Sequence, residues 1–257
     1  MFPHENAEPE ETAFRKLLSM LTEEPRGDTP DWPVVLVTLL ENEFYRQREI
    51  WYTGQSLFID RDDFDHTTAK VAEKAKTRLL FKLCRELSNG CLTIGNEAFR
   101  LISYEGPTFG GRTRQCADLL GLSRNGGLVV FECKLENPYA PVTSVIEGLD
   151  YLSCLTAEPN ATRFRNEFEN WCRKPHQIVP PGFESMKLNP DGPHEVIVLA
   201  TRDYFDLYRP NPNKQKNSRR GDGWMDFAAA CQNLQGRLRI RFAEADFVST
   251  TATWISR

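Results

Sequence analysis

Asp118 and the triplet Glu132-Cys133-Lys134 are residues whose types and spacing suit chemistry. The triplet closes a run of apolar and β-prone residues, "VVFECKLENP", from Val129 to Pro138. A buried strand does not ordinarily end in two charges on one face, and side chains two apart in a strand share a face. Just upstream, "SRNGG" carries an Asn-Gly pair of the kind that closes a hairpin. Pairing outward from Asn125 sets Leu122 against Leu128, Leu120 against Val130 and Asp118 against Glu132. The two carboxylates become cross-strand neighbours, with β-carbons roughly 5 Å apart.

Like charges so placed repel, and an apolar sheet adds a desolvation penalty. A divalent cation relieves both. Mg²⁺, or Mn²⁺ in its place, takes oxygen ligands, often one or two carboxylates with water and phosphate oxygens. Asp118 and Glu132 would supply carboxylates, and the backbone carbonyl of Cys133 a further oxygen. Lys134, on the face of Glu132, could orient or deprotonate a water or steady charge on a phosphate. That chemistry is metal-dependent hydrolysis of a phosphodiester. The bland alternative is a Lys–carboxylate cluster at a sheet end, since E-x-K spacing is common.

The elements that must position these residues follow from the pattern along the chain. A helix is expected over Asp65–Ser88, with Val71, Ala75, Leu79 or Leu80, Leu83 and Leu87 at helical spacing and Asn89-Gly90 as its stop. Strands are expected over Ala98–Tyr104, Gln115–Leu122 and Gly127–Leu135, joined by short links as a meander. A helix follows from near Pro141, and another passes through Arg163–Cys172. "HEVIVLATRDYF" reads as a buried strand that should pair in parallel, because a helix precedes it. "GDGWMDFAAACQNLQG" reads as a late helix and "RLRIRFAEADF" as a half-exposed strand. Residues 1–60 read as an N-terminal helical extension, with a helix over Glu11–Leu21 and another opening at Pro33. Residues 61–257 form the α/β domain.

Asp118 followed by Glu132-Cys133-Lys134, within helix–strand–strand–strand–helix–strand, resembles the PD-(D/E)xK nuclease superfamily. "ECKLENPYAPVTSVIEGLDYL" is similar to its RecB-like members, where a helix after the E-x-K strand carries Q-x-x-x-Y. Glu147 and Tyr151 stand at those positions, four apart and so on one helix face. Glutamate replaces glutamine, and an ionised carboxylate cannot donate as an amide does. Ala117 stands where the motif's proline would be. The resemblance covers roughly residues 65–205. It implies a restriction-endonuclease-like αβββαβ core with a mixed central sheet, a Mg²⁺ cofactor, DNA as partner and a possible homodimer. It also implies a glutamate on the helix before the first strand, and Glu73 fits.

Further basic residues are candidates for phosphate contact: Arg112 and Arg114 in "GGRTRQ", and Lys214, Lys216, Arg219 and Arg220 in a polar loop. The formal net charge is −4, so any nucleic acid must be met by a local basic patch or through metal ions. The seven cysteines are odd in number and form no C-x-x-C, and the four histidines lack zinc-ligand spacing. Reduced thiols, an acidic start that is no signal peptide and the lack of a membrane-length apolar run point to a cytoplasmic protein. Two other classes stay open. One is a non-catalytic binding or interaction module of the same fold in a defence or mobile-element system. The other is an interaction protein whose carboxylates merely pair with Lys134.

Overall fold

The computed structural model describes residues 72–109, 115–135, 141–156, 160–174, 179–184, 187–189, 192–208 and 238–255. The expected N-terminal extension, the boundary at residue 60, the late helix of "GDGWMDFAAACQNLQG" and the basic candidates Arg112, Arg114, Lys214, Lys216, Arg219 and Arg220 lie outside them.

Helix α1 (Ala72–Leu87) presents Thr77, Leu80, Phe81 and Cys84 to the core. That stripe has the helical period but a shifted phase: Ala75 is exposed, as are Leu79 and Leu87. The sequence pattern admitted both phases because leucine occurs at 79 and 80, and the sheet chose the one that buries Phe81. Asn89 and Gly90 end the helix in the left-handed region, with φ of 52° and 81°, and the Gly90 amide donates to the Cys84 carbonyl at 2.8 Å.

Strands β1 (Cys91–Ile94), β2 (Glu97–Phe109), β3 (Gln115–Leu122) and β4 (Leu128–Lys134) then run as an antiparallel meander. The β3–β4 hairpin has the register expected from Asn125: Leu122 pairs with Leu128 and Leu120 with Val130. Its tight turn sits under the segment before β5. A β-carbon on Gly127 would lie within 1.8 Å of the Pro193 carbonyl oxygen, so only glycine allows this approach. Helices α2 (Pro141–Thr156) and α3 (Asn160–Cys172) carry the chain to β5 (His194–Ala200), which pairs with β4 in parallel as expected. The Leu128 amide donates to Nδ1 of the buried His194 at 3.2 Å, fastening the starts of β4 and β5.

The strand expected to continue through "TRDYF" stops at Ala200. Helix α4 (Arg202–Tyr208) starts there, with Thr201 Oγ1 accepting from the Tyr204 amide as an N-cap. β6 (Leu238–Glu244) lies parallel to β5, and β7 (Thr251–Trp254) returns antiparallel to β6.

The expected open αβββαβ sheet of restriction-endonuclease type is overturned. The strands close into a seven-stranded mixed barrel in the order β1-β2-β3-β4-β5-β6-β7. Closure comes from β1 and β7, which pair in parallel through Thr93–Thr251 and Ile94–Ala252. These two four-residue strands were not foreseen, being too short to show a period. Arg241 reinforces the closure. It holds Glu97 of β2 through both carboxylate oxygens, bonds the buried Glu195 of β5, and stacks on Trp254 of β7 with its guanidinium carbon 3.8 Å from the ring centre.

Side-chain alternation divides the apolar residues into two cores. Val129, Phe131, Cys133, Ile197 and Leu199 pack with α1 on one face. Leu128, Val130, Val196 and Val198 pack with α2 and α3 on the other.

Candidate functional site

Alternation along β4 continues past the apolar residues. Leu128 and Val130 face α2, so Glu132 and Lys134 face it too, at the end of the strand. Both are buried. Helix α2 comes close here because residue 148 has no side chain. A β-carbon there would lie 2.5 Å from Val196 Cγ1 and 3.3 Å from Glu132 Cγ. Glu147 and Tyr151, adjacent on this helix, are thereby set over the two charges.

Lys134 Nζ lies 3.1 Å from Glu147 Oε2 and 3.4 Å from Glu132 Oε2. The lysine is thus bracketed by one carboxylate from its own strand and one from the helix. The glutamate that departs from the Q-x-x-x-Y pattern has a physical role here, since it supplies a counter-charge that glutamine would lack. Tyr151 is buried one turn further on. Burial first, then the charges of Glu132, Glu147 and Asp118, push its hydroxyl above the ordinary tyrosine range, so it stays protonated.

The β3–β4 ladder ends at Leu119–Phe131, one position before Asp118 and Glu132. Asp118 does not simply oppose Glu132. Its Oδ2 accepts a hydrogen bond from the Cys133 amide at 2.8 Å. It sits half-buried where the strands part. Burial first, and then the Asp118 charge, raise the Glu132 carboxyl well above its ordinary value, with Lys134 working against the shift. Glu132 Oε1 is buried and has no hydrogen-bond partner. An orphaned carboxylate oxygen beside a second carboxylate is the donor set that suits a hard cation. The two backbone polar groups of a strand residue point to one edge, so the Cys133 carbonyl lies on the Asp118 side. The residues therefore fit Mg²⁺ or Mn²⁺ held by Asp118, Glu132 and the Cys133 carbonyl. Among the described residues no set of three or more His, Cys, Asp or Glu side chains is arranged to hold a metal. Any such site would be completed by water or substrate oxygens.

Glu73 stands in the first turn of α1, and its side chain lies outside the described residues. Its helix packs on the opposite face of β4, where Thr77 bonds the Cys133 thiol.

Sequence reasoning missed Thr201 and Gly148. Thr201 donates its amide to the Lys134 carbonyl at 3.1 Å and its hydroxyl to the Leu135 carbonyl at 2.9 Å, fixing the strand end that carries the site. A serine or threonine before a helix is a readable N-cap signal, obscured here because the apolar run made one long strand of "HEVIVLATRDYF". Thr201 also borders an open cavity of about 420 Å³ with Asp203, Glu244, Asp246, Thr251 and Thr253. Lys134, Ala200 and Glu244 are in register across β4, β5 and β6, so cavity and charge cluster share one end of the sheet.

Comparison with known proteins finds no protein-family model, no curated protein and no solved structure that matches this chain.

Proposed function

We propose that the chain is a metal-dependent phosphodiesterase acting on DNA, with its site at the end of β4. The observation that carries this reading is the buried, partnerless Oε1 of Glu132, a carboxyl that feels the charge of Asp118, with a lysine on the same strand face. Asp118, Glu132 and the Cys133 carbonyl would hold Mg²⁺ or Mn²⁺. Such a cation polarises a phosphate oxygen and lowers the pKa of a bound water. Lys134 acts through its positive charge, steadying the phosphate as negative charge builds on it. Tyr151, held protonated, is a hydrogen-bond donor at the site's wall. DNA as substrate, and a possible homodimer, are what the motif's resemblance to PD-(D/E)xK nucleases implies. No helix among the described residues is long and apolar enough to cross a membrane. The free thiols Cys84, Cys91, Cys133 and Cys172 favour a cytoplasmic setting.

The test is calorimetry with Mg²⁺ and Mn²⁺ on wild type, Asp118→Ala and Glu132→Ala, followed by cleavage assays on single- and double-stranded DNA. Cation binding by wild type that both substitutions abolish, together with cation-dependent cleavage, is the expected result. A wild type that binds neither cation, even with DNA present, would sink the reading. The lysine bracketed by Glu132 and Glu147 favours a second reading, an interaction module in which the cluster is structural. That reading is the one left standing by such a failure.

A further inference from the structure

We propose that Glu147 is a positioning residue that draws Lys134 toward α2 and so keeps Glu132 open to a divalent cation. This rests on the metal-site reading above. Lys134 Nζ is nearer Glu147 than Glu132, at 3.1 Å against 3.4 Å. Lysine is a compact charge on a flexible four-carbon stem, so its head goes where the counter-charge is. Without the Glu147 carboxylate, the ammonium would be drawn more strongly toward Glu132. A cation needs the same carboxylate, and an ammonium drawn onto that group repels the cation and weakens its binding. Glu147 divides the lysine's attraction and leaves Glu132 Oε1 unengaged. The helix is held at the right distance for this. Gly148 allows its close approach to Glu132 and Val196, and Ser144 Oγ lies 3.3 Å from the Tyr204 hydroxyl, tying α2 to α4. An amide at 147 would still accept a hydrogen bond from the lysine, but without the opposite charge that makes an ion pair, and so a weaker one. The carboxylate at this position is therefore what sets the balance between Glu132 and the helix.

The test is a double-mutant cycle read by Mn²⁺ titration calorimetry on the full chain. Glu147→Ala should weaken Mn²⁺ binding about tenfold, a coupling typical of groups in contact, and Glu147→Gln should fall between it and wild type. Lys134→Met removes the competing ammonium, and in that background Glu147→Ala should change affinity by less than about twofold. Lys134→Gln serves the same arm where the Met variant does not fold. Equal loss in both backgrounds would mean that Glu147 acts only as a distant negative charge, and would overturn the proposal while leaving the metal site intact. A wild type that takes up no Mn²⁺ overturns the metal-site reading itself, and the positioning role with it.

Discussion

The Asp118 carboxylate reaches past the last β3–β4 pair and accepts a hydrogen bond from the Cys133 amide at 2.8 Å. The residue therefore does two jobs. It ends the ladder by satisfying an amide that β3 no longer covers, and it holds a carboxylate beside Glu132. Replacement by alanine should abolish cation-dependent cleavage and cost about 1–3 kcal/mol of unfolding free energy, the cost of leaving a buried amide unpaired. Parallel cleavage and urea-unfolding measurements separate the two effects. Undiminished cleavage would remove Asp118 from the site.

The raised Glu132 carboxyl makes stability depend on pH. Its value in the folded chain lies above the ordinary 4.5, so between those values the folded state binds more protons than the unfolded state. Its contribution to stability then falls as pH rises through that window and levels off above the folded value. Glu132→Gln cannot ionise. It should match wild type near the acid end and become the more stable protein as pH rises. Urea midpoints at about pH 4, 6 and 8 measure the divergence. Parallel curves would place the carboxyl outside a desolvated setting.

Gly148 gives a purely steric prediction. A β-carbon there meets Val196 Cγ1 at 2.5 Å, so α2 or the Val196 side chain must give way. Gly148→Ala should cost about 1–3 kcal/mol through overpacking and draw Glu147 away from Lys134. Thermal unfolding reads the first effect, and weakened Mn²⁺ binding the second.

Arg241 tests the closure of the barrel. Glu195 is 2% exposed, and Arg241 is its partner. Arg241→Met should cost about 3 kcal/mol by leaving a buried carboxylate unpaired. Arg241→Met with Glu195→Gln should recover part of that loss. Faster amide exchange in β7 would accompany the single change, since Trp254 loses the guanidinium stacked on it.

Much of the site was legible in the sequence because its logic is local. Strand alternation put Glu132 and Lys134 on one face, an Asn-Gly turn fixed the register that brings Asp118 to the end of β4, and helical spacing set Glu147 with Tyr151. Each inference rests on backbone period within one element or on a single tight turn between two. What the alternation could not supply was the partner of each charge. Whether Glu147 reaches Lys134 depends on how closely α2 packs, and that depends on Gly148 meeting Val196, a contact between residues distant in the chain.

The closed sheet belongs wholly to tertiary structure. Residues 91–94 and 251–254 are each too short to reveal a strand; they pair with β2 and β6 beside them, and they close the sheet by hydrogen-bonding to one another across most of the domain. The same holds for the bonds from Arg241 to Glu97 and Glu195. The sequence by itself determined the hairpin, the parallel crossover through α2 to β5 and the charges at the end of β4, because backbone period and turn chemistry act between near neighbours. The barrel, the phase of α1 and the pairing of Lys134 were decided only when distant segments packed, because burial and charge pairing depend on distance in space and not on separation along the chain.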